Sequence, residues 1–363
     1  MRARIGAQQC IERREQVQAH GIHFTQAIAL NNALYRCVRR VETSRPRNAG
    51  AFLFMNPSQA SRTALATSLM RALHSRSDPA PLLDDPWGDR LVPESVRTAF
   101  RERGMARLGA SASAASLSSL SPEAVLDAGL RANAAYPDVI LRSRYTEDAL
   151  KDAVSRGVRQ YVIVGAGFDS FVCRRPAWAE GLGIYEVDHP STQQLKRQRL
   201  QECGVAESAD VHFVEADLSV EDLGTALARS PFQPALPTFF AWLGVTVYLT
   251  REANLAALRA IASCAPEGSE LVFTYVDEAA LRTDGTANEA FQKLRGDVSS
   301  VGEAFLSGFD PTTLAAQLRD TGLELVEDLD DHQALARYDA AGANGLRPAG
   351  AAHVARAVRF RSA

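Results

Sequence analysis

The segment from residue 158 to residue 188 limits the possible folds more than any other part of the chain. It reads VRQYVIVGAGFDSFVCRRPAWAEGLGIYEVD. The apolar run 161–164 predicts a strand buried on both faces of a parallel sheet. Gly165 and Gly167 then allow a tight turn and a close approach of a ligand to the backbone. Glu186 and Asp188 end the next strand, where a carboxylate can accept hydrogen bonds from ribose hydroxyls. The segment predicts a binding edge for a nucleotide-type ligand.

Helix and strand patterns alternate through the rest of the chain. Ser61 is expected to cap a helix over 62–75, and a helix starting at about Thr146 is expected to lead into the first strand. The pattern predicts further strands at 211–214, 238–243, 270–276, 323–326 and 352–360, with helices between them except before the last strand. We therefore predict an α/β fold with a doubly wound, mostly parallel seven-stranded sheet and a helical N-terminal part.

Composition excludes several classes of protein. The formal charge of −3 does not favour nucleic acid or an anionic membrane surface. No apolar run approaches the roughly 18 residues that predict a membrane-spanning helix. Five cysteines without CxxC spacing predict a cytoplasmic protein and no zinc or other metal site.

The first 54 residues differ from the rest in charge, with nine Arg against three Glu. We predict a poorly ordered extension at 1–54, rather than a targeting leader, and one folded domain at 55–363. Within this domain, the serine-rich stretch 109–122 predicts a flexible part of a lid-like segment at about 95–140. A second lid-like segment is predicted at 277–309.

Two cofactors compete for the predicted binding edge. A dinucleotide fingerprint requires a third glycine where this chain has Ser170, and a long helix that Pro176 interrupts here. After the third strand, Asp217 can accept a hydrogen bond from an adenine amino group, and the backbone N–H of Leu218 can meet the ring. A glycine turn, a ribose acid and an adenine acid at three successive strand ends favour S-adenosyl-L-methionine.

Motifs over most of the chain carry a family resemblance. From Ser58 to the C-terminus, the chain resembles the leucine carboxyl methyltransferase family in its bacterial branch of S-adenosylmethionine-dependent methyltransferases. The resemblance implies a Rossmann-like class I methyltransferase. It rests on SRTALATSLMRAL, DDPWGDRLV, LRSRYTED, VRQYVIVGAGFDSF, YEVDHPSTQQLKRQRL, VEADL, FFAWLGVTVYLTREA, FLSGFDPTTL and ARYDAAGANGLRPAGAAH.

The resemblance also implies which residues bind the cofactor. It makes Arg142 or Arg144 the partner of the methionine carboxylate. We expect Glu186 and Asp188 to point to opposite faces of their strand, so that only Asp188 holds the ribose. The remaining implied contacts are the loop residues Gly165, Gly167 and Asp169 and the adenine neighbours Asp217 and Leu218.

Two departures from the family pattern concern the acceptor. Relatives commonly carry arginine where this chain has Phe171, which removes a cation expected near the substrate. The eukaryotic enzymes carry a glutamate where this chain has Leu243 or Gly244. The contact of that glutamate to the cofactor amino group must therefore come from another group. We do not expect the protein-phosphatase substrate of the family.

Methyl transfer from a sulfonium mainly requires alignment and desolvation. A carboxylate acceptor needs no general base, whereas a hydroxyl acceptor does. His189 and Tyr248 are candidate catalytic residues, although a helix cap is favoured for His189 and a pocket wall for Tyr248. Arg337 and Tyr338 are expected in a C-terminal loop, where Arg337 pairs with a substrate carboxylate or remains a surface charge.

Three functions remain open from the sequence. We favour an O-methyltransferase acting on a small-molecule carboxylate or hydroxyl, such as a polyketide-like or lipid-like metabolite. A nicotinamide-dependent dehydrogenase and a non-catalytic S-adenosylmethionine-binding interaction protein are the alternatives. Calorimetry with adenosyl compounds and NAD separates the first from the second.

Overall fold

The computed structural model describes residues 61–109, 120–282, 288–300 and 302–360. These residues form one seven-stranded sheet with helices on both of its faces. The strands are β1 (Gln160–Val164), β2 (Gly183–Asp188), β3 (Val211–Glu215), β4 (Thr238–Trp242), β5 (Glu270–Val276), β6 (Leu323–Asp330) and β7 (Ala352–Arg359). The helices are α1 (Arg62–Ser77), α2 (Gly88–Leu91), α3 (Glu94–Gly109), α4 (Pro122–Arg131), α5 (Tyr136–Ser155), α6 (Phe171–Arg174), α7 (Pro190–Glu202), α8 (Leu223–Leu227), α9 (Arg251–Cys264), α10 (Glu289–Ser299), α11 (Pro311–Asp320) and α12 (Asp331–Tyr338).

The strand order is β3-β2-β1-β4-β5-β7-β6. Strands β1 to β5 pair in parallel, and β7 inserts antiparallel between β5 and β6. The predicted doubly wound, mostly parallel sheet is confirmed. The order reverses at β1, which has β2 on one side and β4 on the other, and ligands of open α/β sheets bind at the carboxyl ends of the strands beside such a reversal.

Strand β1 is buried along its whole length. Its alternate side chains enter two hydrophobic cores, with Tyr161 and Ile163 in one and Val162 and Val164 in the other. Helices α1, α4 and α5 cover the first face, and α8, α9 and α11 cover the second. Burial on both faces explains the continuous apolar run, because each residue from 161 to 164 lies in one of the two cores.

Several predicted helix starts are confirmed. The Ser61 hydroxyl accepts a hydrogen bond from Ala64 N at 3.1 Å, and the Thr250 hydroxyl accepts one from Ala253 N at 3.2 Å. Each bond satisfies a backbone donor that the first helical turn leaves unpaired, which stabilises a helix by about 1 kcal/mol.

The predicted start of α5 was wrong. This helix begins at Tyr136, ten residues before Thr146. Thr146 lies within the helix, and its hydroxyl donates to the carbonyl oxygen of Arg142 at 2.7 Å. Pro137 occupies the first turn, where its missing N–H costs nothing, and the side chain of Tyr136 is already buried. A capping residue type alone therefore gave the wrong boundary.

Some predictions concern residues that the structure does not describe. The extension at 1–54 lies outside the described residues, as do 110–119 of the serine-rich stretch and 283–287 of the second lid-like segment. The described parts of 95–140 lie mostly in α3, α4 and the start of α5, and those of 277–309 include α10. A lid function for either segment stays a prediction. Within the described ranges, none of the helices is long and apolar enough to cross a membrane.

Candidate functional site

The loop after β1 requires its two glycines. Gly165 and Gly167 have φ values of +68° and +52°, a region that side chains disfavour. A Cβ at Gly165 would lie 2.5 Å from Val245 Cγ2, and one at Gly167 would lie 2.9 Å from the Cβ of Ala64. The loop is thus packed between the segment after β4 and the first turn of α1.

Asp188 lies at the carboxyl end of β2 and contacts this loop. Its carboxylate accepts hydrogen bonds from the backbone N–H groups of Gly167 and His189, the latter at 2.6 Å. Burial raises the pKa of Asp188, and the two amide donors oppose this shift. The carboxylate is held in a fixed orientation beside the glycine loop.

Glu186 has a different environment, and the expectation of opposite faces was wrong. Residues two apart along a strand point to the same face. Glu186 lies deeper in the structure, where its carboxylate forms a fully buried ion pair with Lys196 of α7. Burial raises the pKa of Glu186 to about 7 even though Lys196 favours the ionised form. Glu186 is therefore enclosed by the protein, and the choice of Asp188 for the ribose stays a prediction.

Asp217 and Leu218 follow β3 next to Asp188. The N–H of Ala216 donates to the carbonyl oxygen of Asp188 at 2.8 Å, which joins the ends of β2 and β3. Asp217 Oδ1 accepts from the N–H and the hydroxyl of Ser219 at 3.0 and 2.6 Å. These bonds fix a turn and use one carboxylate oxygen of Asp217. Leu218 is half-buried against the second core.

Only one of the two candidate arginines reaches the end of β4. The guanidinium of Arg142 lies where a side chain at Gly244 would start, since a Cβ there would come within 2.7 Å of Nη2. Arg142 Nη1 also donates to Asp138 at 2.6 Å. The Arg144 side chain is 42% exposed, against 14% for Arg142, and pairs with Asp148 on the outer surface of α5. Leu243 packs against the first core.

The N-terminus of α1 is joined to the second lid-like segment by Glu303. The carboxylate of Glu303 accepts hydrogen bonds from the hydroxyls of Ser61 and Thr63 and, at 3.0 Å, from the N–H of Arg62. We call these contacts the α1–Glu303 clasp. Ala64, the next residue of α1, packs on Gly167. The clasp therefore fixes the start of α1 where this helix packs against the glycine loop.

The candidate catalytic residues fall into different places. His189 caps α7, since its Nδ1 accepts from the N–H of Ser191 at 3.3 Å. Tyr248 follows β4, is hydrogen-bonded with Thr63, and has its pKa raised by desolvation to about 12. A phenol with this pKa is protonated at neutral pH, so Tyr248 can donate a hydrogen bond there but is not a base.

The expected loop position of Arg337 and Tyr338 was wrong. Both residues end α12, which starts with a capping box between Asp330 and Gln333. This box is visible in the sequence and predicts the helix. Arg337 makes a two-pronged contact with Glu327 of β6, with Nη1 at 3.0 Å from Oε2. Within the described residues, the partner of Arg337 is thus a carboxylate of the protein itself, Glu327.

Phe171 is enclosed by the protein. Its side chain is buried in the first core, with its ring 5.3 Å from that of Tyr161 in an edge-to-face arrangement. The Asp169 carboxylate accepts from Phe171 N at 2.8 Å and starts the short helix α6. The side chain at this position is therefore part of the first core.

Comparison with known proteins decides between the two cofactors. The family model described as leucine carboxyl methyltransferase matches residues 64–262, more than half of the chain. The chain belongs to the leucine carboxyl methyltransferase family. It is an S-adenosyl-L-methionine-dependent methyltransferase, and S-adenosyl-L-methionine is its cofactor.

Relatives of this methyltransferase agree with the assignment. The Bacillus subtilis protein named "Putative S-adenosyl-L-methionine-dependent methyltransferase YktD" is 31% identical over 276 residues, which cover 76% of this chain and 90% of that protein. A relative with the same description from Mycolicibacterium vanbaalenii is 30% identical over 79% of this chain and 88% of its own length. A solved structure titled as a putative methyltransferase from Thermobifida fusca has a TM-score of 0.51 with 13% identity, and covers 84% of this chain and 97% of that one. This last similarity supports the fold.

The residues at the strand ends fit S-adenosyl-L-methionine. The positive φ values and close packing of Gly165 and Gly167 form a cradle that a Cβ would fill. Asp188 and Asp217 are hydrogen-bond acceptors at the ends of adjacent strands, which suits ribose hydroxyls and an adenine amino group. Arg142 is the cation that suits a carboxylate. When bound, the cofactor supplies a methyl group on a positively charged sulfur.

Two polar residues of this methyltransferase were missed by the sequence reasoning. Asp85 of the DDPWGD motif is fully buried and bonded to Ser170, and Glu303 forms the clasp. The motif containing Asp85 was recognised, but no role followed from it. The sequence carries no signal for this role, because Asp84 stands beside Asp85 in the same motif.

Proposed function

We propose that this methyltransferase transfers the methyl group to an oxygen of a small apolar molecule, with a carboxylic acid favoured over an alcohol. We further propose that Gly165, Gly167, Asp188 and Asp217 bind the adenosyl part of the cofactor, and that Arg142 binds its methionine carboxylate. The arrangement around the carboxyl ends of β4 and β5 supports the acceptor class.

The observation that carries the proposal is a third apolar cluster at this edge of the sheet. Helix α10 contributes Phe291, which is 3% exposed and packs 6.0 Å ring to ring from Phe305. The ring of Phe305 in turn lies 5.7 Å from that of Tyr248. The cluster also contains Val247 and Val276, and it lines this edge with hydrocarbon. An apolar acceptor would cover the half-buried members at this edge, Tyr248 and Phe305, and would gain free energy by removing their exposed surface from water.

The side chains near this edge that could act as a base are protonated or already hydrogen-bonded, which favours an acceptor that is already ionised. Tyr248 keeps its proton at neutral pH, and His189 Nδ1 is used by its helix cap. Asp138 is paired with Arg142. A carboxylate attacks a sulfonium methyl without losing a proton, so it needs none of these groups as a base. The chain's own task is then to orient both reactants and exclude water.

The acceptor class can be tested with methyl-labelled S-adenosyl-L-methionine. The purified chain is incubated with apolar carboxylic acids of increasing length, with the alcohols of matching length, and with a peptide ending in leucine. We expect label to enter the longer acids and to be released as methanol by mild alkali, because methyl esters hydrolyse and methyl ethers do not. Asp188→Asn serves as the cofactor-site control and should remove the labelling.

Two outcomes would contradict the proposal. Label that survives alkali would show an ether or an N-methyl product instead of an ester. Labelling of the leucine peptide alone would show that the acceptor is a protein C-terminus rather than a small molecule.

A further inference from the structure

A buried network of charged side chains contacts the segment that follows the glycine loop, away from the carboxyl ends of β2 and β3. Its centre is Asp85, whose side chain is completely buried. Asp85 Oδ2 accepts a hydrogen bond from Arg71 Nε of α1 at 2.8 Å and one from the hydroxyl of Ser170 at 2.5 Å. Arg174 Nε lies 3.7 Å from the same oxygen. One carboxylate thus joins α1 to the end of the glycine loop.

The network holds the loop at two points. Arg71 Nη2 donates to the carbonyl oxygen of Phe168 at 2.7 Å, and Ser170 is bonded directly to Asp85. Arg174 donates to the Ser170 hydroxyl at 3.1 Å and is itself paired with Glu147 of α5. Asp188 binds the N–H of Gly167 from the other side. The backbone from residue 167 to residue 170 is therefore fixed between two carboxylates.

Electrostatics keeps Asp85 ionised in this position. Burial opposes its ionisation, but Arg71 and Arg174 outweigh burial and lower the pKa of the carboxyl. Hydrogen bonds between ionised partners are stronger and more directional than neutral ones. Removing the charge of Asp85 would leave the buried guanidinium of Arg71 without its carboxylate partner, whereas Arg174 would keep its ion pair with Glu147. The loop would then lose its fixed carbonyl and hydroxyl contacts together.

Ser170 also explains a departure from the dinucleotide pattern. The third glycine of that pattern allows a helix to pack closely against the strand. Here the position is filled by a buried hydroxyl that needs a partner, and Asp85 provides it. A glycine at 170 would remove the hydroxyl donor from Asp85 Oδ2 and leave this oxygen with its hydrogen bond from Arg71 Nε alone.

We propose that Asp85 is a positioning residue for cofactor binding, which sets the conformation of the glycine loop through Ser170 and Arg71 without contacting the cofactor. The proposal rests on the role given above to Gly165 and Gly167. It does not depend on the identity of the methyl acceptor.

The chain offers a matched control for this proposal. Asp78 lies seven residues before Asp85 in the same proline-rich loop, and its side chain is also completely buried. Asp78 is bonded to His74, Tyr136 and Arg131 of helices α1, α5 and α4, and its hydrogen bonds do not reach the glycine loop. Replacing either aspartate removes a buried carboxylate, but only one replacement releases the loop.

The test compares S-adenosylhomocysteine binding by calorimetry with the melting temperature for Asp85→Asn, Ser170→Ala and Asp78→Asn of the full chain. We expect Asp85→Asn to raise the Kd about tenfold, and Ser170→Ala to raise it by a smaller factor. Asp78→Asn should lower the melting temperature while its Kd stays that of the wild type. Measurement well below each melting temperature separates loop position from global stability.

Several results would overturn the proposal. One is an unchanged Kd for folded Asp85→Asn, or, if that variant does not fold, for Ser170→Ala. Equal weakening by Asp78→Asn would show a general effect of buried charge. The Gly167→Ala variant distinguishes a wrong role for Asp85 from a wrong assignment of the glycine loop to cofactor binding. If Gly167→Ala weakens binding while Asp85→Asn does not, only the role of Asp85 is wrong.

Discussion

The guanidinium of Arg142 fills the space in which a side chain at position 244 would begin, with Nη2 at 2.7 Å from the Cβ that Gly244 lacks. Gly244 also has a φ of +68°, and its N–H donates to the hydroxyl of Thr274 at 2.7 Å. The absence of a side chain after β4 and the presence of Arg142 at that strand end are therefore one feature of the site.

Replacing Gly244 by alanine should displace Arg142 and weaken cofactor binding. The added Cβ would clash with the guanidinium, and alanine at positive φ costs about 1–2 kcal/mol in addition. We expect Gly244→Ala to raise the Kd for S-adenosylhomocysteine at least about tenfold in calorimetry. Gly204→Ala is the control, because Gly204 has a φ of +72° with open space around its missing Cβ. Equal Kd changes in both variants would mean that backbone strain alone is responsible.

Arg142 and Arg144 should differ sharply in their effect on binding. Both pair with an aspartate four residues away on α5, but only Arg142 lies against the end of β4. A charge-assisted hydrogen bond contributes roughly 1.5–3 kcal/mol. We expect Arg142→Gln to raise the cofactor Kd by about 10- to 100-fold and Arg144→Gln to leave it unchanged. The reverse result would place the methionine carboxylate elsewhere.

Asp217→Ala should weaken adenosyl binding by roughly 1–3 kcal/mol, the cost of leaving a buried hydrogen-bonding group without its partner. This variant also breaks the turn with Ser219. Ser219→Ala removes the bond from the hydroxyl but keeps the Asp217 carboxylate, and we expect it to bind normally. Calorimetry of both variants separates the two effects, and a loss of affinity in Ser219→Ala would attribute the change to the turn.

Glu186→Gln should alter how stability depends on pH. Burial raises the pKa of Glu186 from the ordinary 4.5 to about 7, so the folded state holds this proton more tightly than the unfolded state. The stabilisation from that proton is complete below pH 4.5 and is lost as pH rises through 7. Glutamine does not titrate. Between pH 4.5 and pH 8, the free energy of unfolding of the variant, measured with denaturant, should therefore rise relative to that of the wild type by up to about 3 kcal/mol.

A control variant and one contradicting outcome complete that test. Glu202→Gln provides a control, because Glu202 is a surface residue of α7 whose lowered pKa comes from Gln198 and Arg199. A constant stability difference between Glu186→Gln and the wild type across this pH range would show that the buried pair stays ionised throughout.

Local patterns were sufficient to predict most of the fold. Strand β5 was predicted with its observed bounds, because every residue from Glu270 to Val276 is buried. The caps at Ser61 and Thr250 were predicted because a hydroxyl before a helical pattern satisfies its first unpaired donors. Burial and capping depend on residues that are close together in sequence, so a single chain displays them.

Contacts between distant residues could not be predicted in the same way. The bond of Asp85 to Ser170 joins residues 85 positions apart, and no local pattern distinguishes Asp85 from its neighbour Asp84. Likewise, the residues around Glu186 in the sequence do not indicate its ion pair with Lys196. The helix that contains Arg337 has a local signal in its capping box, but the ion pair of Arg337 with Glu327 on a neighbouring strand has none. The sequence indicates which residues can ionise, whereas packing decides which partner each one meets.

The α1–Glu303 clasp also limits when during synthesis the first turn of α1 can be anchored beside the glycine loop. Thr63 and Glu303 bond across 240 positions of the chain. A nascent chain that has emerged only as far as β5 already contains the glycine loop, Asp188 and Asp217, yet it lacks the carboxylate that holds the first turn of α1 over that loop. The clasp can therefore form only after residue 303 has emerged from the ribosome, so the first turn of α1 lacks this anchor in every shorter nascent chain.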